Sequence, residues 1–123
     1  MNRQEVGKLG EKLAQKFLKK RGYHIRETNF RYHEGEIDII ARQGDYLVFV
    51  EVRTKSNLDF GTPEESITRA KKEKLVASAF AYINTHQNLP PLWRIDVVAI
   101  EVDDKGKAKR IDLIENAIEQ PCY

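Results

Sequence analysis

Gly35-Glu36-Ile37-Asp38-Ile39-Ile40-Ala41-Arg42-Gln43-Gly44-Asp45-Tyr46-Leu47-Val48-Phe49-Val50-Glu51-Val52-Arg53 is the stretch whose reading decides the fold. Gln43-Gly44-Asp45 is turn chemistry between two runs rich in Ile, Val and Phe. The flanking strands, predicted over 36–42 and 46–55, therefore pair as an antiparallel hairpin. The second run is apolar on both faces for most of its length, as a central strand covered on both sides requires. Alternation puts Glu36 and Asp38 on one face of the first strand. In the second, Leu47, Phe49, Glu51, Arg53 and Lys55 share a face, and Val48, Val50 and Val52 share the other. A two-residue turn at Gln43-Gly44 sets Asp38 opposite Phe49 and Glu36 opposite Glu51. A loop two residues longer sets Asp38 opposite Glu51 itself. In either register Asp38 and Glu51 are direct or diagonal neighbours roughly 5–8 Å apart, whereas an odd-length loop separates them.

Upstream, residues 3–21 read as a helix stopped by Gly22. At about 100° per residue, Leu9, Leu13, Val6, Phe17, Gly10, Ala14, Gly7 and Leu18 fill one continuous arc. Lys8, Lys12, Lys16 and Lys19 fill the opposite face, and Glu11 falls at the rim of the apolar arc. A strand near 23–31 leads into the hairpin. Downstream, Thr62-Pro63-Glu64-Glu65 is a capping box with proline at the first helical position, predicting a second helix to about 86. Pro90-Pro91 ends that region before a strand over 93–102 and a short one near 109–115. The fold class is α/β, in the order α-β-β-β-α-β-β, with one mixed sheet flanked by helices.

The 123 residues fit one domain, 1–123, and suffice for a core without disulfide or metal staples. With 41% hydrophobic and 33% charged residues the composition is that of a folded globular chain. No apolar run approaches a membrane span, no signal-peptide stretch opens the chain, and Cys122 is a lone cysteine. A reducing, cytoplasmic setting without membrane partners is the expectation. The net charge of +2 does not by itself select a polyanionic partner. Lys8, Lys12, Lys16, Lys19, Lys20 and Arg21 on the first helix, and Lys105, Lys107, Lys109 and Arg110 on a late turn, are clusters that can track phosphates or simply face water.

Two close carboxylates repel unless a proton or cation lies between them. A hard divalent ion such as Mg²⁺ suits Asp38 and Glu51, with the Val52 carbonyl as a further oxygen. The plain alternative is a solvated sheet face. Glu51 stands inside the apolar run 47–52, which argues against it. In the second helix Lys71 interrupts the stripe Ile67, Leu75, Ser78 and Tyr82. It is either a snorkelling lysine or a cation aimed at the acids or at a phosphate. Asp96 reads as an acid that pairs with an arginine. His24, His33 and His86 lack ligand spacing, and neither a phosphate loop nor a G-x-S-x-G elbow is present.

An acid on the first helix, Asp38 after a turn and Glu51-Val52-Arg53 on the next strand together resemble the PD-(D/E)xK nuclease pattern. Gly10-Glu11-Lys12-Leu13-Ala14, Gly22-Tyr23, Asn29-Phe30-Arg31, Gly35-Glu36-Ile37-Asp38-Ile39-Ile40, Val48-Phe49-Val50-Glu51-Val52-Arg53, Phe60-Gly61-Thr62-Pro63 and Asp96-Val97-Val98-Ala99-Ile100 look like the YraN-like bacterial family. The resemblance runs over about residues 5–116. It implies a restriction-endonuclease-like fold similar to archaeal Holliday junction resolvases, and an acidic site of Glu11, Asp38 and Glu51. The implied activity is Mg²⁺- or Mn²⁺-dependent cleavage of DNA, including branched DNA. Contact through the phosphate backbone would be structure-selective, and a homodimer is implied by the junction resolvases. Arg53 stands where the pattern has lysine. Arginine stays protonated, so it can steady a phosphate but not act as general base, leaving Lys55 or Lys71 to take the lysine's place. The alternatives are a nucleic-acid-binding module without cleavage, and a protein-interaction domain whose acids are structural.

Overall fold

The computed structural model describes residues 1–33 and 35–118; Cys122 lies outside them. Helix α1 (Arg3–Lys20) starts at Asn2, whose side chain accepts from the Glu5 N–H at 2.8 Å while the Glu5 carboxylate caps the Asn2 N–H. It ends as Gly22 predicts: that residue takes φ +85°, and the Gly22 and Tyr23 N–H groups bond back to the Lys19 and Leu18 carbonyls. Strands β1 (His24–Tyr32), β2 (Gly35–Gln43) and β3 (Tyr46–Lys55) follow, then helix α2 (Arg69–Thr85), β4 (Leu92–Val102) and β5 (Ala108–Ile114). The order is the α-β-β-β-α-β-β expected for a restriction-endonuclease-like chain. Among the described residues the sheet has five strands in the order β1-β2-β3-β4-β5, parallel only between β3 and β4, which α2 joins. No described helix is long and apolar enough to cross a membrane.

β3 is central and covered on both sides, as its composition demands. Val48 and Val50 pack with Val6, Ala14 and Leu18 of α1, while Leu47 and Phe49 pack with Leu75, Ala79 and Tyr82 of α2. The helices thus lie on opposite faces of the sheet. Gly10 sets how closely α1 approaches: a Cβ there would stand 1.8 Å from Thr54 Oγ1 and 2.8 Å from Thr54 Cβ. Although alanine favours a helix over glycine, Gly10→Ala should lower stability by about 1–3 kcal/mol through overpacking, read as a fall in the midpoint of thermal unfolding. An unchanged midpoint would mean that α1 does not sit on β3.

The hairpin takes the second of the two expected even registers. Ile39 pairs with Val50 and Gln43 with Tyr46, so the same register continued places Asp38 across from Glu51. This register is reached not by a longer loop but by moving the two-residue turn from Gln43-Gly44 to Gly44-Asp45, with Gly44 at φ +57°. Alternation also slips once. Ile37 and Ile40 both pack beneath α2, whereas Ile39 and Ala41 pack beneath α1. The slip falls at Asp38, and on β1 Asn29, between the paired residues Thr28 and Phe30, has φ +55°.

The second helix begins later than predicted. Thr62 and Glu65 do cap each other, but over a short 3-10 turn, Glu64–Ser66. Ile67 is extended, and Thr68 caps α2 by accepting from the Lys71 N–H at 3.2 Å.

Candidate active site

The ladder between β2 and β3 stops at Ile39 and Val50, so the next N–H that β3 presents towards β2 needs another acceptor. Asp38 supplies it, accepting from the Val52 N–H on Oδ2 at 2.8 Å. Glu51 enters the same place from β3 and is only 2% exposed. Its Oε2 has no hydrogen bond among the described residues. Lys71 Nζ, in the first turn of α2, lies 3.4 Å from that oxygen, and an Arg53 guanidinium nitrogen lies 3.8 Å away. Burial, and then the Glu51 carboxyl beside it, push the Asp38 carboxyl up to about 8 from an ordinary 3.8. The Val52 N–H and the Lys71 charge act in the opposite direction without prevailing.

A cleft of ≈ 320 Å³ opens on these groups, lined by Glu36, Asp38, Glu51, Thr68, Lys71 and Leu75 among others. Its wall is tight where β2 begins, since a Cβ on Gly35 would stand 2.5 Å from Ser78 Oγ and 3.2 Å from the Lys74 carbonyl. Glu11 reaches the cluster by field. Partial burial, then the charges of Asp38 and Glu36, raise its carboxyl above the usual range. Among the described residues, however, no three His, Cys, Asp or Glu side chains converge as a ready-made cage. Asp38 and Glu51 are brought together, with Glu11 as a more distant neighbour.

The cations divide. Lys71 and Arg53 face Glu51, so of the two readings of Lys71 the ammonium aimed at the acids is the one found. Lys55 Nζ instead faces the Phe60 and Gly61 carbonyls, each at 3.4 Å. Arg53 is anchored by a residue the sequence did not single out: its Nε donates to Ser66 Oγ at 2.9 Å. Ser66 was legible only as part of a helix's first turn. Asp96 pairs with an arginine as expected, taking Arg94 Nε at 2.9 Å; it stands beside Val50 in the sheet and bonds Tyr23 on the α1 side. Of the basic clusters, the lysines of α1 are exposed, while Arg110 is taken up by Glu64, Glu101 and Asp112.

By fold and site this is a three-layer α/β protein with a buried acidic pair where two central strands part, faced by a helix-borne lysine. The chain belongs to the uncharacterised protein family UPF0102, the YraN-like family, whose model matches residues 10–100. It is 49% identical over 117 residues to a UPF0102 protein of Dehalococcoides mccartyi, covering 95% of each chain. A UPF0102 protein of Dictyoglomus turgidum is 42% identical over 95% of this chain and 99% of its own. One from Caldicellulosiruptor bescii is 45% identical over the same shares.

Proposed function

We propose that this protein is a metal-dependent endonuclease hydrolysing phosphodiester bonds in DNA, selective for strand structure rather than base sequence. The observation that carries the reading is the orphaned Glu51 Oε2, buried beside an Asp38 carboxyl that burial keeps from ionising freely. A carboxylate placed for stability would be met by hydrogen-bond donors; this one is met by a second acid and two loosely approaching cations.

The donor set fits Mg²⁺ or Mn²⁺: hard carboxylate oxygens, a backbone carbonyl at Val52, and no thiolate or imidazole. Asp38 and Glu51 would hold the ion, with Glu11 assisting at longer reach. Such an ion, when bound, makes a water acidic enough to attack and offsets charge on the attacked phosphate. The chain's own residues do the rest. Lys71, on the rim of the cleft, offers a cation to a phosphate. Arg53, steadied by Ser66, presents a planar guanidinium that binds a phosphate without exchanging protons. Sequence-independent contact fits the exposed lysines of α1, which can follow a backbone without reading bases.

Arg53 in the expected lysine position favours one rival, a nucleic-acid-binding module that does not cleave. Junction, flap, single-stranded and duplex DNA offered with Mn²⁺ separates the two. Cleavage abolished by both Asp38→Asn and Glu51→Gln is the expected result. Cleavage surviving both substitutions defeats the assignment of the site. Strand binding without cleavage by any substrate favours the rival. Calorimetric titration with Mn²⁺ gives a second readout, and binding should be lost in Asp38→Asn.

A further inference from the structure

A second and larger cleft, ≈ 660 Å³, lies on the other side of Arg53. It is bounded by the start of α1, the end of β3 and the loop that follows β3. Arg3, Arg53 and Lys55 line it, together with Asn57 and Ser66, and no described Asp or Glu does. In a chain with 19 acidic residues, such a one-signed lining is suited to a polyanion. At its mouth stands Phe60, 93% exposed. A phenyl ring left in water gains nothing for the fold, yet the backbone that carries it is held. Lys55 Nζ bonds to the Phe60 and Gly61 carbonyls at 3.4 Å each, and Gly61 turns the chain at φ +99°. The two clefts meet in β3: Val52 and Arg53 line the larger one, the Val52 N–H holds Asp38, and Arg53 faces Glu51.

We infer that this cleft holds an unpaired nucleotide of a DNA strand, its base stacked on Phe60 and its phosphates on Arg3, Arg53 and Lys55, beside the acidic pair. The inference deepens the nuclease reading and rests on it for the role of the strand. A base paired inside a duplex has no free face to offer an aromatic ring, whereas a flap, a junction arm or a single strand does. Stacking tolerates any base, and the cations track only the backbone, so the site discriminates strand structure and not sequence.

The test is binding in EDTA, where no cleavage competes. Phe60→Ala is expected to weaken capture of a short fluorescein-labelled oligo-dT by about tenfold and to leave blunt duplex binding unchanged. Phe60→Trp is expected to retain oligo-dT binding, and its added indole emission, read over the Trp93 background, should be quenched when the strand binds. Oligo-dT affinity unchanged by Phe60→Ala, or an indole at position 60 that ignores the bound strand, overturns the stacking site. Mn²⁺ titration without DNA keeps the two readings apart. Mn²⁺ binding with Phe60-independent capture removes the stacking site alone. Phe60-dependent capture without Mn²⁺ binding removes the nuclease and leaves the stacking site standing.

Discussion

Asp38→Asn is expected to stabilise the metal-free protein at alkaline pH while abolishing Mn²⁺ binding and cleavage. The Asp38 carboxyl is held up to about 8 in the fold against an ordinary 3.8, so between those values the folded chain keeps a proton that the unfolded chain releases. Stability supplied by this group is therefore complete below about pH 4, declines as pH rises, and is fully lost above about pH 8. Asparagine carries no such penalty. Its amide oxygen can still accept from the Val52 N–H, and its amide nitrogen can donate to Glu51. In EDTA the variant should match the wild type near pH 4 and exceed it by a few kcal/mol at pH 9, read from urea unfolding at the two pH values. Mn²⁺ should raise the wild-type melting temperature and leave the variant's unchanged. A variant less stable than wild type at pH 9 would show that Asp38 is a structural carboxylate, held ionised by its neighbours. A stability gain coupled to lost metal binding is the signature of a site kept for function at a cost to the fold.

The parts of the site that were legible in the sequence are those that one strand pair determines. Apolar runs on either side of Gln43-Gly44-Asp45 sufficed to place Asp38 near Glu51, because both of the even registers expected for this turn bring them together. Which register holds depended on which residue turns the corner, and Gly44 does so at φ +57°. The slip in alternation at Asp38 was not legible. It accompanies Asn29 on a strand that reads as regular; asparagine tolerates a left-handed backbone better than other non-glycine residues, but its presence alone does not say that the strand turns there. The late start of α2 was hidden for a similar reason. Thr62 and Glu65 form a genuine cap, and the break comes from Ile67, whose extended backbone lets a second cap at Thr68 begin the helix. Lys55 shared a strand face with Glu51, yet the loop carbonyls of Phe60 and Gly61 take its ammonium. Alternation gives a side chain's face and says nothing of what competes for its tip. Glu11 was visible at the rim of its helix's arc, and its link to Asp38 and Glu36 emerges only once α1 is seated on β3.

Asp96→Ala is expected to have the largest effect on stability and none on metal binding. Asp96 is 0% exposed, yet its charge is fully answered. Arg94 Nε and the Asn116 N–H donate to Oδ1, and the Tyr23 hydroxyl donates to Oδ2, each at 2.9 Å. Arg94 in turn bonds the Tyr23 hydroxyl at 3.0 Å and the Gln43 side chain, so the network joins the start of β1, the end of β2, β4 and the chain after β5. Burial and the Asp96 charge push the Tyr23 hydroxyl up to about 12, keeping it a donor. Removing the carboxylate leaves Arg94 a buried cation without its counter-ion, a loss of about 3–5 kcal/mol. For a chain of this size that corresponds to a fall of roughly 10–20 °C in the melting temperature. Tyr23→Phe removes two bonds of the network but leaves Arg94 and Asp96 paired, and should cost about 1–3 kcal/mol. Below its lowered melting temperature Asp96→Ala should still bind Mn²⁺ as the wild type does. The same residue type thus takes opposite roles on one sheet, decided by its partners. Asp96 is surrounded by donors and ties the strands together, whereas Asp38 faces another acid whose Oε2 has no hydrogen bond among the described residues and only two loosely approaching cations. If Asp96→Ala lost Mn²⁺ binding while still folded, the acidic pair would depend on this network, one residue away across β3, and the separation of structural from functional acids would fail.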